Sequence, residues 1–290
     1  MARALHEFGS GKGDMPPDLG DLLVRLGLIS PEQAEEVAKA QGEGGRPYGE
    51  VAVELGLISA QDLRQLMAAR RAQAGTLDHS LFHQDIVVAH RPRSSHAEDF
   101  RSLRNALSLR WFKHSEGARS LAIISANRKE GRSTCAANLA VCFAQIGLRT
   151  LLVDADMRSP RQHELFGVND RVGLASYLKG LSGDSAYPNI GDPATLSVLP
   201  VGDAPADTHE LLLGPPLVEL IGAAEKNCDV ILFDTPAACE SNDYQTIASA
   251  CGGALVVTRA GESRVRPTAR LINDCEDLGI KVVGATMMAD

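Results

Sequence analysis

The sequence predicts an α/β protein with a mostly parallel sheet flanked by helices, preceded by a small all-α repeat domain. After residue 98, short apolar runs alternate with helical patterns, which is typical of parallel strands joined by right-handed helical crossovers. The five apolar runs are residues 121–125, 150–154, 230–234, 254–258 and 281–287. Near the start of the chain, residues 19–33 are similar to residues 48–62, which lie 29 positions later. This repeat predicts the separate helical domain.

Each repeat unit combines a short amphipathic helix, a glycine and a second helix. Gly27 and Gly56 stand where the first helix of each unit should end, and they suit a left-handed residue there. Ser30 and Ser59 follow as natural N-caps of the second helices. The chain of 290 residues divides into a flexible tail (1–17), a two-repeat helical domain (18–74), a linker (75–97) and an α/β domain (98–290).

The composition excludes several classes of protein. The formal net charge is −8, which disfavours a broad nucleic-acid-binding surface. No stretch approaches the ~18 apolar residues of a membrane span, and the first residues lack the apolar segment of a signal peptide. The six cysteines form no C-x-x-C pair, so the spacing of a zinc site is missing. We therefore expect a cytoplasmic protein without nucleic-acid partners, whose contact with a membrane depends on another protein.

A charged loop follows the first predicted strand and leads into a helix. A tight loop at a helix N-terminus directs backbone N–H groups and the helix dipole at a phosphate. The loop is similar to the P-loop motif G-x-x-x-x-G-K-[ST], with Ala126 for the first glycine and Arg132 for the lysine. Ser133 is placed to direct its hydroxyl at Mg²⁺. The residues predicted to bind nucleotide phosphates are Asn127, Arg128, Lys129, Glu130, Gly131, Arg132, Ser133 and Thr134.

Carboxylates follow two other predicted strands. Asp154, Asp156 and Arg158 come at the end of the second strand, and Asp234 ends the run 230–234. Taken singly, each of these aspartates suits a helix cap or a turn. In open α/β sheets, however, ligands bind at the carboxyl ends of the strands. The three segments therefore predict one phosphate and metal site in a domain like the P-loop NTPases.

At these residues the chain resembles the bacterial tyrosine kinases of polysaccharide biosynthesis, and it is most similar to the chain-length-determinant type linked to exopolysaccharide export. The resemblance covers about residues 98–288. Besides the P-loop, it rests on Asp154-x-Asp156-x-Arg158, residues 160–167, Pro205 with residues 210–212, and Asp234-Thr235-Pro236 with Asp243.

The resemblance implies an ATP-dependent protein-tyrosine kinase. Arg132 and the loop amides would hold the phosphates of ATP, with Arg158 also at the nucleotide. Ser133 and Asp156 would hold Mg²⁺, and Asp234 would do so directly or through water. Asp154 is the candidate base near the incoming tyrosine hydroxyl. Catalysis of this kind consists mostly of positioning and charge neutralisation.

The resemblance also implies partners. Glu98, Arg101 and Arg104 match the E-x-x-R-x-x-R oligomerisation motif of the family, which predicts a homo-oligomer. Their spacing alone is equally typical of a solvated helix face. The family works with a membrane-embedded chain-length determinant, so we expect this chain at the cytoplasmic side of the inner membrane, bound through that partner.

Three departures from the family pattern leave other functions open. Arg132 replaces the P-loop lysine, the usual C-terminal tyrosine cluster is missing, and Met288 stands where the family has an asparagine that helps to read adenine. A nucleotide-dependent assembly switch with little kinase activity and a stand-alone ATPase are therefore alternatives. A partitioning ATPase of the MinD/ParA type is disfavoured because Asn127 replaces its signature lysine.

Residues 18–74 resemble the N-terminal domains of type II secretion and pilus ATPases, some of which bind cyclic di-GMP. The residues that match that motif are Leu19, Gly20, Leu23, Gly27, Gln41, Gly49 and Gly56. Asp18 replaces the arginine of the motif and removes a natural phosphate partner. The alternative interpretation is a helical docking domain whose glycines only end helices.

Overall fold

A computed structural model describes residues 19–25, 27–42, 48–60, 62–63, 66, 80, 82–112, 119–180, 189–190, 195–203 and 208–289. The predicted tail and Pro205, one of the residues that carry the resemblance, lie outside these ranges. Among the described residues, no helix is both long and apolar enough to span a membrane.

The repeat domain contains helices α1 (Leu19–Arg25), α2 (Pro31–Gly42) and α3 (Tyr48–Glu54). Gly27 and Gly56 have φ values of 66° and 69°, as predicted. The N–H of Leu28 bonds the carbonyl of Leu23, the six-to-one contact of a Schellman motif, and the second unit repeats this contact. The N-cap prediction is also confirmed, because the Ser30 hydroxyl accepts the N–H of Gln33 at 3.2 Å.

The two units pack closely through a glycine. A Cβ atom at Gly49 would lie 2.8 Å from Cδ1 of Leu63 and 3.1 Å from Cδ2 of Leu19. Gly49 therefore lets the helices of the two units approach each other. Leu23, Val37 and other apolar residues of both units are fully buried in the same small core.

The α/β domain is built on a sheet with the strand order β3-β4-β2-β5-β1-β6-β7. All neighbours pair in parallel except β3 with β4, which are antiparallel. The strands are β1 (Ser120–Ile124), β2 (Thr150–Asp154), β3 (Asn189–Ile190), β4 (Leu196–Leu199), β5 (Val230–Asp234), β6 (Gly253–Arg259) and β7 (Lys281–Met288). The predicted fold class is confirmed, although β3 and β4 were not among the predicted strands.

Helices cover both faces of this sheet. They are α4 (Val87–His90), α5 (Ser95–Leu107) with a π-helical extension (Ser108–Phe112), α6 (Arg132–Ala144), α7 (Gln162–Phe166), α8 (Leu174–Leu178), α9 (His209–Leu212), α10 (Pro215–Asn227), α11 (Asp243–Cys251) and α12 (Val265–Asp277). One core joins α5, α6 and α7 to the sheet. The other joins α8 to α12 to the opposite face. Since β1, β2 and β5 are buried along their whole length, their carboxyl ends are held firmly in place.

Much of the segment predicted as a linker belongs to the α/β domain. Ile86 and Val88 are fully buried in the core that contains α6, and the N–H of His83 donates to the carbonyl of Leu165 on α7 at 2.8 Å. We call residues 82–90 the strap. Helix α5 begins at Ser95 behind the N-cap Ser94, three residues before the predicted domain boundary. The polar run at residues 91–95 is typical of a linker, whereas the strap just before it packs into the apolar core.

Candidate active site

The loop between β1 and α6 has the backbone of a phosphate-binding turn. Gly131, the N-cap of α6, has a φ of 92°, and Lys129 has a φ of 62°. A Cβ atom at Gly131 would also lie 2.9 Å from Cγ of Met288. Glycine is therefore required here by the backbone angle and by the contact with β7.

Glu130 holds the loop in shape from inside. Its carboxylate is buried and accepts the N–H of Asn127 at 2.8 Å and the hydroxyl of Ser263 at 2.5 Å. These bonds tie the loop to the segment after β6. Glu130 is among the residues predicted to bind phosphates. Its side chain instead braces the loop through these bonds, and it does not line the cavity described below.

Arg132 joins the ends of three strands. Its guanidinium donates to the carbonyl of Thr235 at 2.7 Å and to the hydroxyl of Ser125 at 2.6 Å, and it pairs with Asp156 at 3.3 Å. The side chain is 7% exposed. Only the planar fork of arginine presents several donors in fixed directions. Arg132 thus keeps the positive charge that the usual lysine supplies at the loop, and in addition it links the ends of three strands.

Asp156 is buried beside this guanidinium. Its Oδ1 accepts the N–H groups of Arg158 at 3.2 Å and Ser159 at 3.0 Å. Burial raises the pKa of the Asp156 carboxyl, and the charge of Arg132 opposes that rise. The carboxylate is therefore oriented by the backbone and faces the P-loop.

Asp154 and Asp234 lie opposite each other in the register of β2 and β5, and both are fully buried. Asp154 accepts backbone N–H groups from Asp156, Arg161 and Gln162. Burial, and then the neighbouring Asp234, raise the pKa of Asp154. Burial likewise raises the pKa of Asp234, against the influence of Arg132.

The raised pKa of Asp234 predicts that this carboxylate costs stability at neutral pH. A carboxyl whose pKa is higher in the folded state ionises first in the unfolded state, so the free energy of unfolding falls as the pH rises through that interval. We expect Asp234→Asn to raise the melting temperature at pH 7, measured without nucleotide or Mg²⁺, and the gain to shrink towards pH 4.

Asp229→Asn is the matched control for this prediction. Asp229 accepts the N–H of Arg149 at 2.8 Å and pairs with its guanidinium at 3.0 Å. The same chemical change should therefore lower the melting temperature. A lower melting temperature for Asp234→Asn as well would contradict a destabilising carboxylate at β5.

The oxygens around Asp234 fit a hydrated Mg²⁺ ion. Oδ1 of Asp234 and Oε1 of Gln162 are buried and have no hydrogen-bond partner among the described residues, and the hydroxyl of Ser133 is close enough to lower the pKa of Asp234. Over the same part of the chain, no group of three or more His, Cys, Asp and Glu side chains could hold a metal. Mg²⁺ usually binds through one or two carboxylates, water and substrate phosphates, so the observed set suffices.

A cavity of about 520 Å³ opens at these strand ends, within the size range of small-ligand sites. Its lining residues are Asp85, Arg128, Lys129, Gly131, Arg132, Ser133, Thr134, Asp156, Ser159, Arg161, Glu240 and Arg259. Most of the predicted loop residues line it, whereas Asp154, Asp234 and Arg158 do not. Asp154 and Asp234 are fully buried at the carboxyl ends of β2 and β5.

Arg158 has partners at one side of the cavity. It pairs with Asp243 at 3.5 Å and donates to Ser241 at 3.4 Å, while Asp243 also binds the imidazole of His209 at 2.6 Å. The structure therefore places Arg158 beside the nucleotide cavity, outside its lining, and 42% of its side chain is exposed.

Sequence reasoning missed several residues of the site. Gln162 donates to Asp234 at 2.8 Å and to the carbonyl of Ser133 at 3.1 Å, so it links β5 to the P-loop. Glu240 pairs with Arg128, and Arg259 donates to the carbonyl of Lys129 at 3.3 Å. Gln162 closely follows the D-x-D-x-R segment, so that segment could have indicated it as a site residue. Glu240 follows β5 and Arg259 is the last residue of β6, and only the fold shows which side chains meet there.

The predicted oligomerisation residues have partners within the chain. Arg101 pairs with Glu98 at 3.0 Å and donates to the carbonyl of Pro92 at 2.6 Å. Arg104 donates to the carbonyl of Cys142 at 3.3 Å and so connects α5 to α6. The carboxylate of Glu98 is 69% exposed. A role between subunits therefore stays a prediction for these three residues.

Comparison with known proteins identifies the family. No protein-family model matches the chain. The tyrosine-protein kinase YwqD of Bacillus subtilis is 31% identical over 208 residues, which are 72% of this chain and 87% of that protein. The succinoglycan biosynthesis transport protein ExoP of Rhizobium meliloti is 33% identical over 204 residues, 69% of this chain but only 26% of that longer protein.

A solved structure of a tyrosine kinase has the same fold as this chain. The kinase domain of the Escherichia coli tyrosine kinase ETK superposes with a TM-score of 0.66 at 25% identity, over 70% of this chain and 79% of that domain. The chain belongs to the bacterial protein-tyrosine kinases.

Proposed function

We propose that this kinase transfers the γ-phosphoryl group of Mg·ATP to protein tyrosines and regulates exopolysaccharide chain length and export with a membrane partner. One observation supports the chemistry. The P-loop, Arg132 and Asp156 line one cavity at the strand ends, where the carboxylates of Asp154 and Asp234 are buried. The relatives, a tyrosine-protein kinase and a succinoglycan biosynthesis transport protein, support the biological setting. A membrane chain-length determinant as partner, and a place at the cytoplasmic face of the membrane, follow from the family resemblance.

Each residue of the cavity has a proposed task. The N–H groups of the loop around Gly131 and the guanidinium of Arg132 bind the phosphates of ATP. Ser133 and Asp156 hold Mg²⁺, and Asp234 does so through its free oxygen or a water molecule. Bound Mg²⁺ neutralises charge on the phosphates. The protein positions these groups in advance, since the backbone orients Asp156 and Gln162 orients Asp234.

Asp154 has a different geometry from the other aspartates. As a base it would have to reach the tyrosine hydroxyl, yet it is fully buried and accepts three backbone N–H groups. This arrangement favours a role in fixing the loop between β2 and α7. Its action as a base stays a prediction.

A labelling experiment tests the kinase proposal. Purified protein is mixed with γ-labelled ATP and Mg²⁺, with and without the cytoplasmic segment of its membrane partner, and the products are separated by acid hydrolysis. Phosphotyrosine supports the proposal. Free phosphate alone would indicate an ATPase, and tight ATP binding with neither product would indicate an assembly switch.

The assembly switch is the second candidate, and one observation favours it. The guanidinium of Arg132 already bonds Thr235, Ser125 and Asp156. An arginine held in this way follows a moving phosphoryl group less easily than a lysine does. In this reading, nucleotide binding only controls assembly on the partner and on other copies of the chain, with Glu98, Arg101 and Arg104 at the contact.

For the repeat domain we propose docking to a protein as its main function. Leu23 and Gly49 are buried, and the side chains of Leu19 and Leu63 fill the space above Gly49. A guanine base could lie on these residues only if the two units separated. Cyclic di-GMP binding is therefore the less favoured use of the predicted motif.

Calorimetry distinguishes these two uses. We expect no heat when cyclic di-GMP is titrated into the whole chain at high micromolar concentration, because the side chains of Leu19 and Leu63 fill the space above Gly49. Cyclic di-AMP serves as the control nucleotide. Saturable heat with cyclic di-GMP alone would contradict the docking proposal.

A further inference from the structure

The strap contributes one wall of the cavity. Asp85 lines the cavity together with Ser133, Thr134 and Arg161, although it lies far from the other lining residues in the sequence. The motifs of the P-loop domain do not include it. The other carboxylates of the lining come from the loops after β2 and β5.

The P-loop helix itself holds the strap in place. Asn138 on α6 is fully buried, and its side-chain oxygen accepts the N–H of Val88 at 3.1 Å. Its amide donates to the carbonyls of Asp85 and Thr134, both at 2.9 Å. One side chain thus connects the backbone of Asp85 to the backbone of the phosphate loop, so the position of Asp85 is fixed relative to bound phosphates.

The side chain of Asp85 is the most accessible carboxylate of the cavity. It is 40% exposed and lies 3.7 Å from Arg161 and 3.4 Å from His83. Asp156, in contrast, is buried against Arg132 and two backbone N–H groups. Glu240 is 13% exposed and pairs with Arg128. Of these three carboxylates, Asp85 is therefore the one most open to a ligand that enters the cavity.

The charge of the Asp85 carboxylate limits which groups of a ligand can bind next to it. It repels phosphate oxygens and accepts hydrogen bonds from hydroxyl groups. It also lies 3.7 Å from Arg161 and lines the same cavity as Arg132 and Ser133, where the phosphates of ATP are proposed to bind. We propose that Asp85 accepts a hydrogen bond from the tyrosine hydroxyl of the acceptor and so orients it for transfer. This inference rests on the proposed kinase function.

The experiment compares acceptor use with ATP binding. Full-length protein and its Asp85→Asn variant phosphorylate a synthetic poly(Glu,Tyr) copolymer, while a fluorescent ATP analogue reports nucleotide affinity in the presence of Mg²⁺. We expect kcat/KM for the copolymer to fall about tenfold, the effect of one lost charge-assisted hydrogen bond. The dissociation constant of the ATP analogue should change less than twofold.

Two further variants control the comparison. Asp85→Glu keeps the carboxylate and should recover part of the acceptor activity. Asp170→Asn removes an exposed carboxylate that lies 3.7 Å from His163 and does not line the cavity, and it should behave as wild type. Unchanged acceptor kinetics in Asp85→Asn, or an equal loss of ATP-analogue binding, would overturn the inference. Wild-type protein that binds the analogue and labels no tyrosine would contradict the proposed function, and the inference with it.

Discussion

Asp156→Asn is expected to lower the rate of tyrosine phosphorylation about 100-fold or more, the scale seen when one preorganised electrostatic group is removed from an active site. Asparagine keeps the shape of the side chain and an oxygen that can accept the N–H groups of Arg158 and Ser159. The change removes only the negative charge that faces Arg132 and, as proposed, Mg²⁺. The loss should therefore appear in kcat. The free energy of unfolding should also fall, because buried Arg132 loses its counter-charge.

Single-turnover labelling with γ-labelled ATP over a range of Mg²⁺ concentrations measures this effect. If Asp156 binds Mg²⁺, the variant should need a higher Mg²⁺ concentration than the wild type to reach half of its own maximal rate. Asp170→Asn is the matched control, because Asp170 is 54% exposed and lies 3.7 Å from His163, away from the cavity lining. Full activity of Asp156→Asn at low Mg²⁺ would remove Asp156 from the proposed metal site.

Arg132→Ala is expected to destabilise the protein and to weaken ATP binding together. The substitution leaves the Asp156 carboxylate buried without its counter-charge, and breaking a buried ion pair in this way costs about 3–5 kcal/mol. It also removes the bonds to Ser125 and Thr235 that connect β1 and β5. Both the denaturant midpoint and the affinity for a fluorescent ATP analogue should fall.

Arg132→Lys separates the two effects. Lysine retains the charge but cannot reach the acceptors on three strands at once. We expect nucleotide affinity close to wild type with an intermediate loss of stability, measured by urea unfolding. An Arg132→Lys variant as stable as the wild type would show that the hydrogen bonds of the guanidinium contribute little to stability. An Arg132→Ala variant that binds ATP normally would exclude Arg132 from phosphate binding.

The sequence was sufficient for the elements whose patterns are strong. The five long apolar strands were predicted within about two residues, and the carboxylates after them meet because parallel strands end at one edge. Strand β4 was missed because Leu-Ser-Val-Leu is short and contains a serine, although Ser197 is nearly buried. Strand β3 has only two residues and depends on β4 for its hydrogen bonds.

Other features needed three-dimensional information. The buried amide of Asn138 decides where the strap lies, and nothing in the local pattern of residues 82–90 indicates a partner fifty positions away. The same holds for Gln162, whose two contacts lie on β5 and in the first turn of α6. Conversely, the repeat gave its caps and turns correctly because those contacts are local.

The strand order bears on how this protein is made. Strand β1, which leads into the phosphate loop, pairs with β5 and β6, so that Ser120 is opposite Ile231 and Ala122 is opposite Ala254. During synthesis on the ribosome, β1 and its loop emerge more than a hundred residues before either neighbour. Contacts this distant in sequence form slowly. The loop after β1 therefore lacks both neighbouring strands until β6 has left the exit tunnel, so bound nucleotide can stabilise the fold only after that point.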